Sequence, residues 1–265
     1  MKNITTFDVI IIGGGLAGLT NAIHLSKFKQ QVLLIEKNSY PKHKVCGEYI
    51  SNEVLPYLNS LGIDPIKEGA KQISKVQVST TKGNLIKGEL PLGGFGMSRY
   101  FLDSLLLKKA RFNGVQVLKD SVDSIVFRKG VFTVQTKDSK SFQSKVTIGA
   151  FGKRSVLDQK MNREFIKKKS PYLAVKIHVK GDFPENLIAL HNFKGGYCGV
   201  SKVENNLINL CYITEYNSFK KHKNITDFQH QVVFKNKHLK KIFEESNPVF
   251  KKPLTISQIS FETKK

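Results

Sequence analysis

Residues 9–20, VIIIGGGLAGLT, constrain the fold of this chain more than any other stretch. An apolar run of β-branched residues stops at three glycines, and a helix with small residues at its start follows. Gly13-Gly14-Gly15-Leu16-Ala17-Gly18 fits the pattern G-x-G-x-x-G directly after a strand and at the opening of a helix. Gly13 permits the tight turn, Gly15 lets backbone N–H groups approach a pyrophosphate, and Gly18 lets the helix pack close to the strand. The helix N-terminus adds partial positive charge. Leu16, Leu19, Ala22, Ile23 and Leu25 keep helical spacing to Phe28, and Gln31–Ile35 reads as a second buried strand closed by Glu36. Such a βαβ unit has parallel strands and a right-handed crossover. Glu36 lies 18 residues past Gly18, where a carboxylate accepts hydrogen bonds from ribose hydroxyls and repels a 2′-phosphate, which disfavours NADP. The alternative is a glycine turn that binds nothing; strand, helix, second strand and acid in register argue against it. The motif alone leaves FAD and NAD open. Lys29 stands near the helix end, where a C′ glycine fits more easily, so a slightly strained turn is expected.

Beyond this unit, Glu48–Leu61 reads as a helix stopped by Gly62. SKVQVST and NLIKGEL flank TKG as an antiparallel hairpin. MSRYFLDSLLLKKARFNG is an amphipathic helix, with Ser98 as N-cap, an apolar face of Leu102, Leu105, Leu106 and Ala110, and Gly114 as its end. Strands follow at VQVLK, SVDSIVF, VFTVQT and FQSKVTIGA. After Phe165, YLAVKIHVK, NLIALHNF, GGYCGVSKV and NLINLCYIT form a second β-rich region. A helical pair over 226–235 and 238–245 and a last strand-like run, LTISQISF, complete it. The pattern predicts an α/β nucleotide-binding half and a β-rich half, a cofactor domain beside a substrate domain.

Charge adds one constraint. The chain carries 43 Lys+Arg against 21 Asp+Glu, a net +22. Residues 101–265 hold 31 of these cations and 14 of the acids. Such a field attracts anions of any kind, whether lipid headgroups, phosphorylated substrates or nucleic acid. No RNA module and no arrangement of stacking aromatics accompanies it, which speaks against nucleic acid. Cys46, Cys198 and Cys211 are scattered and none stands at metal-ligand spacing, so no metal site and a reducing cytoplasm are expected. The N-terminus has no signal-peptide pattern, and no apolar run reaches the ~20 residues of a membrane helix.

Three further segments decide between the dinucleotides. PKHKVCGEYIS (41–51), MSRYFLDSLLLKKA (97–110) and VTIGAFGKRSVL (146–157) stand with the glycine turn in the order and spacing of a flavoprotein group. The chain resembles that group, which contains geranylgeranyl reductases and aromatic hydroxylases, and most resembles the geranylgeranyl reductase branch. The resemblance implies an FAD-binding Rossmann-like βαβ domain interleaved with a β-rich substrate domain. The first would take residues 1–73 and 98–165, the second 74–97 and 166–265. It implies FAD on Gly13, Gly14, Gly15, Leu16, Ala17, Gly18, Glu36 and Lys37, with Arg99 at the phosphate–ribityl portion, the Val122 backbone at the adenine, and Gly152 nearby. A guanidinium in the first turn of a helix suits a phosphate. Cys46 and Gly47 resemble the segment near the isoalloxazine. Gly47 would let backbone approach the ring, and Cys46 would line the substrate side as a candidate catalytic thiol, with Lys44 as electropositive neighbour; its plain alternative is a small packing residue. Cys198 reads as packing.

The chain departs from the family pattern twice. Gly149-Ala150-Phe151-Gly152 stands where relatives have Gly-Ala-Asp-Gly. Phe151 accepts no hydrogen bonds, which leaves NAD(P)H as direct electron donor open, with Lys153 and Arg154 able to hold phosphates or another donor. Nothing after Lys251 resembles the family's Gly-Asp-Ala motif, so these residues alone are expected to retain FAD weakly. The resemblance implies an FAD-dependent oxidoreductase that transfers hydride and a proton to a double bond of a prenyl or polyene substrate, with peripheral contact to an anionic membrane. Its rivals are an FAD-dependent monooxygenase acting on an aromatic ring, a basic tRNA-binding flavoprotein and a non-catalytic remnant.

Overall fold

The computed structural model describes residues 5–168, 170–259, 261 and 263–264. The end of the run read as a strand over 254–261 includes Ser260, outside the described residues. The chain opens β1 (Thr5–Ile12), α1 (Leu16–Lys27), β2 (Val32–Glu36), as the alternation of apolar runs and glycine predicts. The next segment differs from its expectation. Instead of one helix over Glu48–Leu61 there is a short strand β3 (Tyr49–Ser51), a 3-10 turn at Asn52–Val54 and a helix α2 of six residues, Leu55–Ser60. Glu48 has φ 56°, in the left-handed region where a right-handed helix cannot pass. Pro56 then stands in the first turn of α2, the one place in a helix that needs no N–H from it.

The hairpin follows as β4 (Lys71–Ser79) and β5 (Leu85–Gly96), and then α3 (Arg99–Phe112). The Ser98 hydroxyl caps α3 by accepting from the Phe101 N–H at 3.1 Å. Gly114 ends the connection with φ 85°. Strands β6 (Gln116–Lys119), β7 (Val122–Arg128), β8 (Val131–Thr136) and β9 (Ser141–Gly149) lead to a short α4 (Val156–Lys160). The β-rich half comprises β10 (Tyr172–Lys180), β11 (Leu187–Phe193), β12 (Gly196–Lys202) and β13 (Ile208–Glu215). Three helices, α5 (Tyr216–Phe219), α6 (Ile225–Gln231) and α7 (Lys237–Glu244), and two short strands, β14 (Asn247–Pro248) and β15 (Leu254–Ser257), complete it.

Two sheets result. The six-stranded sheet has the order β6-β2-β1-β9-β8-β7, with β6, β2, β1 and β9 parallel and β7 and β8 antiparallel. Val9, Ile11, Val32 and Leu34 face α1 and α3, packing on Leu19, Ile23, Leu102 and Leu106. Ile10, Ile12, Leu33 and Ile35 face the other way, against Val134 and Leu157. Both faces of β1 and β2 are therefore covered, which is why these strands read as unbroken apolar runs and not as alternation. The nine-stranded sheet has the order β14-β10-β13-β12-β11-β4-β5-β3, with β15 on β10. The hairpin β4–β5 thus leaves the chain's first half to pair in the second sheet, and β4 meets β11 in parallel register from Leu187↔Lys75 to His191↔Ser79. At the end of α1, Lys29 takes the left-handed conformation at φ 57°, and Gln30 donates back to Leu25 O at 3.4 Å, the turn a glycine makes more cheaply.

A buried polar knot fastens the helical cap to this sheet. Asn236, the N-cap of α7, donates through Nδ2 to Ser79 Oγ at 2.8 Å and to Asn192 O at 2.9 Å. Ser79 Oγ also meets His191 Nδ1 at 2.8 Å, and the His191 and His238 rings stack 5.2 Å apart. Burial, with His238 adding to it, pushes the His191 pKa down to about 4 from the usual 6.5. His191 therefore stays neutral in the fold at pH values where the unfolded chain already binds a proton. Its contribution to stability is complete above pH 6.5 and is lost as pH falls toward 4, by up to about 3 kcal/mol. Urea unfolding at pH 7 and pH 5 will show this loss in the wild type, and His191→Gln will flatten the pH dependence.

Candidate cofactor site

The turn after β1 is built from backbone approaches that only glycine allows. Gly13 has φ 105°, and a Cβ there would lie 2.5 Å from Ala150 O. A Cβ on Gly14 would lie 1.8 Å from the Tyr40 hydroxyl, and one on Gly18 1.8 Å from Gly13 O. Gly15 differs: the nearest atom to its Cβ position is Arg99 Nη2 at 4.0 Å. Backbone packing thus demands glycine at 13 and 18, and the Tyr40 and Glu36 side chains crowd position 14, whereas at 15 the space is an open cradle in front of a guanidinium. Gly15 is also the N-cap of α1 and offers no side chain to its first-turn N–H groups. Those donors face the cradle, the arrangement that receives an anion at a helix N-terminus.

Glu36 closes β2 beside this turn. Its Oε2 accepts from the Gly14 N–H at 2.7 Å, and its Oε1 accepts from the Asn38 N–H at 2.9 Å and from Asn38 Nδ2 at 2.5 Å. The Tyr40 hydroxyl donates to Gly14 O, so the same turn is held through donor and acceptor alike. The carboxylate is fixed in place and keeps lone pairs for further donors such as ribose hydroxyls.

A cavity of about 420 Å³ runs along the carboxyl ends of the parallel strands. Gly13, Gly15, Glu36, Lys37, Arg99, Val122 and Gly152 all line it, seven of the residues singled out in the sequence. Gly14, Leu16, Ala17 and Gly18 form the turn behind it. Phe151 and Arg154 also line it, and Lys264 Nζ lies 3.9 Å from the centre of the Phe151 ring and donates to Gly152 O at 2.8 Å. Apolar walls from Ile12, Val156 and Leu157 alternate with the cations Lys37, Lys44, Arg99 and Arg154. An adenine dinucleotide needs those features together: a flat apolar berth, a fixed acceptor for the sugar, and positive charge with free N–H groups for the diphosphate. The residues fit FAD.

Arg99 is itself held in place. Its Nε and Nη2 donate to Asp103 Oδ1 and Oδ2 at 2.9 and 3.1 Å, one helical turn away, and Lys44 Nζ reaches Asp103 Oδ2 at 2.6 Å. Asp103 is 1% exposed and orients both cations toward the cavity. Arg99 also contacts the Cys46 thiol. Cys46 and Gly47 do not line the cavity; they sit on the loop beyond Arg99, Cys46 half-buried and Gly47 exposed with nothing within 4 Å of its Cβ position.

Behind that loop lies a group of residues that sequence reasoning did not find. The Glu48 carboxylate is buried and accepts from Lys176 Nζ, from His178 Nε2 at 2.6 Å and from the Arg99 N–H at 2.8 Å. Burial alone would raise the Glu48 pKa, but His178 and Lys176 outweigh it and hold the carboxyl below its ordinary value. Glu204 accepts from the Ser98 N–H at 2.8 Å, so two buried acids meet the first turn of α3. Lys176 and His178 alternate with Ile177 and Val179 along β10, but a buried lysine in an apolar strand gives no sign of its partner's position. Among the described residues, no group of three or more His, Cys, Asp or Glu side chains is placed to hold a metal ion.

Residues 7–160 match the model of a family described as pyridine nucleotide-disulphide oxidoreductase. The chain belongs to that family. A 1H-pyrrole-2-carbonyl-[peptidyl-carrier protein] brominase of Pseudoalteromonas luteoviolacea is 28% identical over 191 residues, 68% of this chain and 47% of the relative. Digeranylgeranylglycerophospholipid reductase 2 of Methanothermobacter thermautotrophicus is 32% identical over 128 residues, 47% of this chain and 32% of the relative. The chain thus spans less than half the length of these curated relatives. The solved structure of a flavin-dependent brominase superposes with a TM-score of 0.79 over 95% of this chain and 67% of that one, at 21% identity. That likeness shows the fold: a parallel Rossmann-like sheet joined to a larger β-rich sheet.

The two kinds of glycine separate experimentally. Gly15→Ala will leave the thermal midpoint within a degree or two and weaken ADP and FAD binding at least tenfold by isothermal titration, because its methyl fills the cradle alone. Gly18→Ala will lower the thermal midpoint clearly, since its Cβ meets backbone that has nowhere to move.

Proposed function

We propose that this chain forms the FAD-binding and substrate-sheet portion of an oxidoreductase that saturates double bonds of a prenyl-type substrate. The observation that carries this reading is the match to two digeranylgeranylglycerophospholipid reductases, 32% and 31% identical over 128 and 126 residues. When bound, the flavin supplies the hydride chemistry, and the protein supplies binding, orientation and electrostatics. Gly15 and the α1 N-terminus take the diphosphate, Glu36 takes the ribose, and Arg99 and Lys44, aligned by Asp103, neutralise the phosphates. Cys46 and Gly47, on the loop beyond Arg99, would stand between the flavin end of the cofactor and the nine-stranded sheet, which would carry the substrate.

A second reading, attack on an aromatic ring by oxidised chemistry, draws on the brominase match, which covers more of this chain, and on the FAD-dependent monooxygenase of Talaromyces verruculosus, 28% identical over 176 residues. Anaerobic incubation with chemically reduced FAD and a geranylgeranylated lipid separates the two. Reduction yields products heavier by two hydrogens per double bond, read by mass spectrometry. A product that appears only in air and carries oxygen or halogen overturns the reductase reading.

A further inference from the structure

The loop from Lys44 to Glu48 is secured from outside the six-stranded sheet. Lys176 Nζ on β10 donates to Lys44 O at 3.1 Å. Asn209 Nδ2 on β13 donates to Cys46 O at 3.2 Å and to Gly47 O at 2.8 Å. The Met97 N–H donates to Glu48 O at 3.1 Å. Four carbonyls of one short loop are thus taken up on its inner side, two of the three partners being side chains of the nine-stranded sheet.

Glu48 completes the fastening. A non-glycine residue in the left-handed region persists only where its surroundings over-determine it, and here they do. Its carboxylate is bonded by Lys176, His178 and the Arg99 N–H, and Glu48, Lys176 and His178 are each 0–1% exposed. Lys176 and His178 are two positions apart on β10 and so share one face. Neither the buried acid nor the buried ammonium is tolerated without the other. Asn209 is 0% exposed, and its amide has no role in the sheet ladder. The opposite side of the loop is free: Gly47 is exposed, with no atom within 4 Å of its Cβ position. The loop is therefore tied down on its inner face and bare on its outer face, as a wall for a planar ligand must be.

We propose that Glu48, Lys176 and Asn209 are positioning residues for the flavin end of FAD: the substrate sheet, and not the dinucleotide-binding sheet, sets the backbone wall at Cys46–Gly47. The proposal rests on the FAD reading of the groove. It makes the two halves of the cofactor separable, since ADP reports on the glycine turn, Glu36 and the phosphate-side cations Arg99 and Lys44, while FAD reports on the wall as well.

The test measures ADP and FAD affinities by isothermal titration and the visible circular dichroism of bound FAD, for the wild type, Asn209→Leu and the double variant Glu48→Gln/Lys176→Met. The double variant removes both buried charges together, so it folds where Glu48→Gln alone would strand Lys176. The wild type binds FAD more tightly than ADP. Both variants keep ADP affinity within about threefold, lose FAD affinity at least tenfold and change the sign or amplitude of the flavin bands. A merely structural role would lower the thermal midpoint and leave the FAD-to-ADP ratio and the flavin spectrum unchanged, and that result overturns the proposal. Equal affinity of the wild type for FAD and ADP overturns it too. A wild type that binds neither refutes the FAD reading itself.

Discussion

The approach of α1 to β1 across Gly13 and Gly18 is the constraint from which the rest of the molecule follows. With a Cβ position on Gly18 only 1.8 Å from Gly13 O, the helix start can lie in one place, directly over the carboxyl end of the first strand. The strands beside it are parallel, so their carboxyl ends gather at the same edge: Glu36 from β2 and Gly149 leading to Ala150 and Phe151 from β9. A crevice at that edge is where open α/β sheets take their ligands. Arg99 reaches the crevice from α3, a helix whose apolar face shares a core with α1.

The two sheets are joined by charge as much as by apolar packing. Glu48 and Glu204 meet the first turn of α3 from opposite sides, one reaching the N–H of Arg99 and the other that of Ser98. Positive backbone charge at that helix start favours both acids. Lys176 adds the countercharge from β10. Removing one member of such a buried pair costs about 3–5 kcal/mol, because the other is left without compensation. The helix that presents Arg99 to the groove is in this way referenced to the nine-stranded sheet.

What could be read from the sequence was local. The βαβ start, the Ser98 cap, the Gly114 stop and the hairpin around Gly83 carry signals within a few residues of one another. Their boundaries in the fold lie close to those the pattern predicts. The left-handed Lys29 was legible for the same reason, as a position where glycine was due. Glu48–Leu61 misled because its apolar spacing is helical while the backbone there is governed by pairing of Tyr49–Ser51 with Gly94–Gly96, more than forty positions away. The cofactor end of the site was legible through the glycine turn and Glu36. The clamp around Glu48 was not, since its partners Lys176 and His178 stand 128 and 130 positions along the chain. Asp103 was hidden differently: at a helical spacing of four from Arg99 it passes for an ordinary surface ion pair, and only its burial reveals the second cation, Lys44.

The parallel pairing of β4 with β11 has a consequence for how the chain is made. During synthesis β4 is complete more than a hundred residues before β11 begins, and β5 about ninety residues before it. Until then the hairpin has one bare edge, open to pairing with any passing strand. Lys71 and Lys75 sit on that strand, and charge of this kind discourages wrong partners during the wait. The larger sheet can close only once β11 has emerged, so its completion depends on contacts distant in the chain, the kind of pairing that topology and not local propensity governs.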